Sequence, residues 1–206
     1  MSRSNKIPFP RGRSAAQGTT IDSNDLQGEH LEGQVVYLPD TDPSDTKVRR
    51  SQTDVIARVV RNKSGISLLP KRIVQYQAAY WGKRVDGYIV AAATPVAGVV
   101  DDHLPSTGVQ NNDLFYLIVG GPCLVKTIDT TIVASTQGNP WIGAVTSGAS
   151  TADVSGSHDS GGITGFAETS NVTFATHWLR NKIGVGLSAK TANNTNQDVL
   201  VSIDLL

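Results

Sequence analysis

The chain is poor in cysteine and in charge. Cys123 is the single cysteine among 206 residues, which excludes a disulfide framework within one chain and disfavours a cysteine-based metal site. It lies in an apolar stretch, so we expect a small buried side chain there. Charged residues make up 17%, and 18 basic residues balance 18 acidic ones, so no overall attraction to nucleic acid or anionic membrane is expected.

Long apolar segments are also absent. No run of about 18 apolar residues could cross a bilayer, and the first residues lack the apolar core of a signal peptide. We therefore expect synthesis and assembly in a cytoplasm, without a membrane partner. Helix signals are scarce as well, because no amphipathic run has caps at both ends. Short helical turns are predicted only near 73–80 and 174–181.

The chain does contain many short apolar runs separated by Gly, Ser, Thr, Asn and Pro. Runs rich in β-branched and aromatic residues, with turn-forming residues between them, are typical of strands. At this length one compact domain with its own core is expected. The fold class predicted is all-β, and the first strand is predicted to end at Pro39. The predicted strands are 33–38, 54–61, 71–76, 84–90, 113–119, 122–127, 140–146, 161–167 and 196–206.

Two of these strands carry further information. Residues 114–119 are apolar on both faces, so we expect this strand to be covered on both sides and to form the centre of the core. The sequence Gly120-Gly121-Pro122 predicts a turn directly after it. The alternation within 199–206 indicates a half-buried strand, and its predicted partner is 183–187.

The N-terminal region differs in composition from the rest. Residues 1–30 hold several prolines and glycines and few large apolar side chains, so alone they could not offset their ordering entropy. We predict an extended N-terminal arm that is either disordered or ordered by lying on another subunit. A tag or leader remnant is the alternative. Residues 31–206 are predicted as a β-rich domain with a loop-rich insert at about 128–174.

Two stretches have the residue types of an active site or a metal site, Asp101-Asp102-His103 and Ser157-His158-Asp159-Ser160. A carboxylate beside an imidazole could act as a general base or bind a metal. Neighbouring residues on an extended chain point to opposite faces, so adjacency in sequence is weak support. We expect both stretches to be loops with solvated side chains, and we expect no catalytic residue, metal or cofactor. A hydrolase using His103 or His158 is an alternative.

Basic residues are concentrated in one part of the chain. Ten lie within 47–84 against one acidic residue. This asymmetry predicts a polarised surface that docks onto an acidic partner, with ordinary solvated strand residues as the alternative. Nucleic acid is the less favoured partner, because no nucleic-acid-binding motif is present. The aromatic group of Tyr76, Tyr80 and Trp81 is interpreted as packing rather than as a stacking platform.

Two groups of segments show family-like motifs. One group comprises 82–88, 100–105, 107–109, 112–116 and 121–127, in which Asn112-Asp113 opens an apolar strand that is followed by Gly121-Pro122. The other comprises 181–189 and 199–203, in which Ile183-Gly184-Val185-Gly186-Leu187 precedes a closing apolar strand. Together they resemble the capsid decoration proteins, or cement proteins, of tailed bacteriophages.

The resemblance implies a β-barrel or β-sandwich subunit, a non-enzymatic homotrimer on the exterior of the capsid in the virion. Such a subunit would bridge neighbouring major capsid protein subunits and stabilise the shell, with no direct contact to nucleic acid. The docking residues that we predict from charge are Arg3, Lys6, Arg11, Arg13, Arg49, Arg50 and Arg72. The alternative is a head-fibre or appendage protein that binds host glycan or receptor through 147–174, with Trp141 or Trp178 stacking on sugar.

Overall fold

The computed structural model describes residues 7–14, 29–88, 96–126, 140–143, 163–165, 182–188 and 198–205. Within these residues the chain forms ten strands and one short 3₁₀ turn, Glu29–Leu31, so the predicted all-β fold class is confirmed. No helix in this part of the chain has the length and apolarity needed to span a bilayer. The strands are β1 (Val35–Thr41), β2 (Arg49–Asn62), β3 (Ile73–Tyr76), β4 (Arg84–Tyr88), β5 (Val96–Val100), β6 (Leu114–Lys126), β7 (Pro140–Gly143), β8 (Ile163–Gly165), β9 (Lys182–Gly186) and β10 (Asp198–Asp204).

The strands join into one sheet, part of which closes on itself. β2 pairs with β4, β4 with β3, β3 with β5, β5 with β6, and β6 again with β2, which makes a ring of five strands. The β2–β4 pairing is parallel and the other four are antiparallel. β1 extends the sheet from β2, and β10, β9, β7 and β8 extend it from β6 in that order. The ring is the barrel-like part of the fold, because strands within a closed ring have neighbours on both sides.

Strand β6 lies at the centre of the core, as its sequence predicts. Leu114, Tyr116 and Ile118 belong to one buried cluster, which includes residues of β1, β9 and β10. The residues between them, Phe115 and Leu117, belong to a second cluster with residues of β4 and of the loops. Side chains alternate across a strand, so β6 is covered on both faces. Buried Cys123 on the same strand confirms the expectation of a small core side chain.

The turn predicted at 120–122 is wrong, because β6 runs unbroken through these residues. Its first half pairs with β2 and its second half with β10. The exchange of partners occurs at Gly121, whose φ of +84° few L side chains adopt. A Cβ atom there would lie 2.6 Å from the carbonyl oxygen of Asp54. The two glycines therefore bend a continuous strand instead of reversing it.

Other elements also differ from the sequence predictions. β2 begins at Arg49, before the predicted 54. β1 continues past Pro39, which is tolerated because, among the described strands, β1 is an edge strand that pairs with β2 alone. The helical turn expected near 73–80 is wrong, since the chain forms strand β3 and then a non-helical turn. The glycine-containing strand β5 was not predicted. By contrast, the predicted pairing of the C-terminal strand with 183–187 is confirmed by β10 and β9. The other predicted helical turn, 174–181, lies outside the described residues.

The bend in β6 gives a stability prediction with an internal control. Replacing Gly121 by alanine should lower the free energy of unfolding by at least about 3 kcal/mol, because backbone strain adds to a collision with the Asp54 carbonyl. Gly65 also has a positive φ, of +77°, but a Cβ there meets nothing within 4 Å. Gly65→Ala should therefore cost only about 1 kcal/mol. Urea unfolding of both variants measures the difference, and equal losses would contradict the proposed collision.

Candidate functional site

The chain turns directly after β5 and buries the Asp101-Asp102-His103 stretch. Asp101 and Asp102 are 1% and 3% exposed, so the expectation of solvated side chains is wrong for this stretch. The His103 side chain is 2% exposed. The backbone N–H of Asp101 donates to the carbonyl of Tyr116, which holds the turn against β6. Burial of adjacent carboxylates demands positive partners, and these come from distant parts of the chain.

Asp102 accepts four hydrogen bonds, two on each carboxylate oxygen. Its Oδ1 atom lies 3.0 Å from an Arg11 guanidinium nitrogen and 2.9 Å from His103 Nδ1. Its Oδ2 atom accepts from Arg50, at 3.0 Å, and from the Leu124 backbone N–H, also at 3.0 Å. A carboxylate has about four acceptor positions, so Asp102 is saturated. One side chain thus connects the N-terminal region, β2 and β6.

The two arginines make further bonds around Asp102. Arg11 donates from Nε to Asp101, at 3.1 Å, and from a terminal nitrogen to the Pro39 carbonyl, at 2.9 Å. Arg50 donates from Nε to Asp40, at 2.8 Å, on β1. We call Arg11, Asp40, Arg50, Asp101, Asp102 and His103 the ion cluster. Three carboxylates face two guanidiniums and one imidazole, so the charges of the cluster balance when His103 is protonated.

The described part of the predicted arm, 7–14, lies against its own domain without forming a helix or strand. The Phe9 ring stacks on Tyr116 with centroids 4.4 Å apart, and the Tyr116 hydroxyl donates to the Phe9 carbonyl at 2.7 Å. Burial raises the pKa of Tyr116 to about 12, so this hydroxyl stays protonated at neutral pH. Farther along, the Ser14 hydroxyl donates to Asp113 at 3.0 Å. Aromatic stacking and ion pairs together hold the segment in place.

The ion cluster shifts the pKa of its titratable members. Burial alone would raise the pKa of Asp102, but the hydrogen bond from His103 and the charges of Arg11 and Arg50 hold it far below its usual range. Burial alone would lower the pKa of His103, but its hydrogen bonds to Asp101 and Asp102 outweigh burial, so that pKa is raised. Both shifts favour the charged forms and therefore the ion pairs.

The same residues offer a geometry for a metal, since ligand atoms of Asp101, Asp102 and His103 lie within 4.8 Å of one another. However, the Asp102 oxygens already accept hydrogen bonds from two guanidiniums, so a metal would have to displace Arg11 and Arg50. The second ring nitrogen of His103 is engaged by the Thr41 hydroxyl, at 3.0 Å. A general base needs a free nitrogen that reaches substrate. The arrangement suits ion pairing better than proton transfer or metal binding.

The predicted docking residues that the structure describes fall into three groups. Arg11 and Arg50 belong to the ion cluster and are 10% and 12% exposed, so their charges are engaged within the chain. Arg72 is buried, at 5% exposure. Arg13 is exposed, and the half-exposed Arg49 pairs with Asp54. Docking by this set stays a prediction, and Arg13 and Arg49 are its described members that reach solvent. Arg3 and Lys6 lie outside the described residues.

Four of the ten bases of segment 47–84 pair with acids from elsewhere in the chain. Arg61 and Arg84 both donate to Glu32, which is itself buried. Lys71 pairs with Asp198 of β10, and Arg50 pairs with Asp40 and Asp102. The segment therefore presents much less free positive charge than its sequence count suggests.

The turn between β3 and β4 carries exposed aromatic side chains. Trp81 is 61% exposed and Tyr80 is 43% exposed, so the interpretation of these two residues as packing is wrong. Tyr76 is partly buried, and its ring lies 5.9 Å from that of Trp81. The Arg84 guanidinium lies 4.2 Å above the Tyr80 ring, a cation–π contact. Large aromatic residues beside a glycine in a turn are the sequence signal that could have identified this surface.

Neighbouring residues of β1 and β2 extend this surface. Arg58 donates to the Tyr76 hydroxyl at 3.1 Å and lies opposite Val35 in the β1–β2 register. Val35 and Tyr37 share the face that points away from the buried residues of β1, and they are 44% and 41% exposed. We call Val35, Tyr37, Arg58, Tyr76, Tyr80 and Trp81 the aromatic face. Exposed apolar groups of this size, contiguous around a fixed arginine, are typical of binding surfaces.

Apart from His103, the residues named for the two alternative functions lie largely outside the described part of the chain. His158 and Trp178 lie outside the described residues, as does most of the insert at 128–174. Of Trp141 only the backbone is described, as part of β7, which pairs with β8 and β9. No protein-family model matches the chain, and comparison with curated proteins finds no significant match. The contacts within the chain therefore carry the functional argument.

The ion cluster predicts that replacing a buried carboxylate and a surface carboxylate should lower the free energy of unfolding by very different amounts. Asp102→Asn should lower the free energy of unfolding by about 3 to 5 kcal/mol, because Arg11 and Arg50 each lose one of their two carboxylate partners within a buried cluster. Asp54 pairs with Arg49 at the surface, where both side chains are about half exposed. Asp54→Asn should therefore cost less than about 1 kcal/mol. Urea denaturation of both variants at neutral pH measures the contrast, and similar losses would show that the cluster contributes little.

The raised pKa of His103 predicts a pH dependence with a definite sign. Protonated His103 contributes stability fully below its unfolded pKa, about 6.5, and this contribution is lost as the pH rises through the folded value. The stability difference between wild type and His103→Gln should thus be largest in acid and should shrink above neutrality. Urea unfolding of both proteins from about pH 5 to pH 9 tests it. A difference that grows with pH would contradict the assignment.

Proposed function

We propose that this protein is a non-enzymatic structural virion protein that binds the outer surface of a tailed-phage capsid. In this role it stabilises the shell by bridging major capsid protein subunits as a homo-oligomer, in keeping with the resemblance of segments 82–88, 112–116 and 181–189 to decoration proteins. The observation that carries the proposal is the aromatic face. It provides an exposed binding surface on a rigid sheet, adjacent to the first of those segments.

The composition of the aromatic face matches that of protein-binding surfaces. Trp, Tyr and Arg are the residue types that contribute most to protein–protein affinity: Trp and Tyr bury a large area with few rotatable bonds, and Arg presents a planar group with several hydrogen-bond donors. Here Trp81 and Tyr80 project from a turn that is held by hydrogen bonds from the backbone N–H groups of Lys83 and Arg84 to the Tyr80 carbonyl. The side chains need little further ordering upon binding, which preserves affinity.

Arg58 sets the kind of partner surface that would fit. Its terminal nitrogen donates to Tyr76 and would lie 2.8 Å from a Cβ at position 82, so the guanidinium is held against the turn. Its Nε atom is buried and has no hydrogen-bond partner among the described residues. Lys83 beside it is exposed. A capsid surface with an apolar patch and an acidic group would complement the rings and the positive charge of Arg58 and Lys83.

Several weak contacts can add to a tight attachment. A homo-oligomer presents one aromatic face for each subunit, and simultaneous contacts raise the effective affinity without any new interface. Binding at a junction between capsid subunits would then resist their separation. This is the physical basis on which a small β domain could stabilise a shell.

The experiment compares two exposed apolar residues outside β1, Trp81 in the turn near the Val35 end of that strand and Val48 near its Thr41 end. Trp81→Ala should weaken co-sedimentation with capsids that lack this protein by about 30-fold, the loss expected for a central aromatic anchor of about 2 kcal/mol. Val48 is 52% exposed and adjoins Arg49, which pairs with Thr41 roughly 20 Å along the strand from Val35. Val48→Ala is the matched control and should bind like wild type.

The contrary outcomes are distinguishable. Wild type that stays in the supernatant at all capsid concentrations would refute capsid binding. Equal binding by wild type and Trp81→Ala would remove the aromatic face from the interface. Quenching of tryptophan fluorescence by single-stranded oligonucleotide, absent in Trp81→Ala, would identify the face as a nucleic-acid platform instead.

A further inference from the structure

The segment 7–14 is bound like a peptide ligand rather than as part of the sheet. Among the described residues, no backbone-to-backbone hydrogen bond joins 7–14 to the domain. The contacts run through side chains: Phe9 on Tyr116, Arg11 in the ion cluster, and Ser14 on Asp113. A segment held in this way makes the same contacts whichever copy of the chain supplies it.

The domain recognises a short sequence, Phe9-Pro10-Arg11-Gly12. Tyr116 stacks on the Phe9 ring and bonds both its carbonyl, at 2.7 Å, and its N–H, at 3.4 Å. Pro10 restricts the backbone between the two anchor side chains. Gly12 has a φ of +79°, and a Cβ there would lie 2.9 Å from the His103 carbonyl oxygen. An aromatic ring, an arginine and a glycine are thus each required at their position.

The site is built for a guanidinium. Arg11 makes three hydrogen bonds to the domain, from three different nitrogens, and is 10% exposed. Without Arg11, three buried carboxylates would face only Arg50 and His103. An empty site would therefore hold an uncompensated buried negative charge, which is strongly unfavourable. Lysine could not replace the planar fork of bonds that arginine makes here.

The chain between the segment and the domain is long enough to reach a neighbour. Fourteen residues, 15–28, separate Ser14 from the 3₁₀ turn that opens the domain. Fully extended, fourteen residues span roughly 50 Å. A compact domain of about 180 residues has a radius of gyration of about 16 Å, hence a diameter of roughly 40 Å. Exchange of an identical segment between subunits is a low-cost route to an oligomer.

We propose that Tyr116, Asp101 and Asp102 form a recognition site for the sequence Phe-Pro-Arg-Gly, and that in the oligomer this site is filled by segment 7–14 of a second copy of the chain. Arg11 of each subunit then binds the recognition site of a neighbouring subunit. The inference stands apart from capsid binding, because its tests need only the purified protein.

The decisive experiment mixes two variants of the full chain that each carry one introduced cysteine, Ser14→Cys in one and Asp113→Cys in the other. These positions are in hydrogen-bond contact, so a short bifunctional thiol reagent should join them. The native Cys123 is fully buried and should not react. Because each chain carries one half of the pair, a covalent heterodimer forms only if the segment of one copy lies on another. We expect this heterodimer as the main product, and it should be absent when the Ser14→Cys chain also carries Arg11→Ala.

A second measurement tests recognition separately from exchange. Full-length Arg11→Ala should bind a fluorescent peptide of residues 7–14, and replacing the peptide's arginine by lysine should weaken binding at least tenfold. Failure of the peptide to bind would overturn the recognition site. Peptide binding combined with cross-links confined to one chain, in a Ser14→Cys/Asp113→Cys double variant, would overturn the second copy as the occupant. Neither result depends on whether the protein attaches to a capsid.

Discussion

The carboxylate of Asp102 is the interaction on which the arrangement of the elements depends. Its four hydrogen bonds come from Arg11, Arg50, His103 and the Leu124 backbone, which belong to four separate parts of the chain. A buried charge is tolerated only when it is fully paired, so each of these parts must be in place before the carboxylate is satisfied. The site therefore couples the position of segment 7–14 to the position of the central strand.

The ion cluster therefore selects one arrangement of the strands in addition to stabilising the fold. Hydrophobic packing in the two apolar clusters on either side of β6 is non-directional, so it would tolerate small shifts in the register between strands. Hydrogen bonds to a saturated carboxylate would not, because each donor has a defined direction. The cluster therefore fixes where β1, β2 and the turn after β5 meet. A buried carboxylate whose acceptor positions are all used, as those of Asp102 are, is suited to selecting one arrangement of an otherwise permissive core.

Sequence patterns predicted the features that depend on neighbours along the chain. Apolar residues on both faces of 114–119 identified the central strand, and alternation in 199–206 identified the C-terminal pair. The ion cluster could not be predicted, because Arg11 and Asp102 are 91 residues apart and no local pattern links them. For the same reason the bases of 47–84 looked like free charge, whereas Glu32 and Asp198 neutralise several of them. Strand β5 was missed because Ala97 and Gly98, which have low strand propensity, interrupt its valines, although Gly98 is what lets Leu117 approach the backbone of the strand.

The distance in sequence between segment 7–14 and its site also has a consequence for the order of folding. During synthesis at about 5 to 20 residues per second, the segment is made roughly 5 to 20 seconds before Asp102 and Tyr116. It cannot dock on its own domain in that interval, since the turn after β5 and strand β6 do not yet exist. On a polysome, a completed copy nearby already offers the same site. Segment 7–14 is therefore made early but can dock on its own domain only late. During that interval it can bind the site of a neighbouring copy.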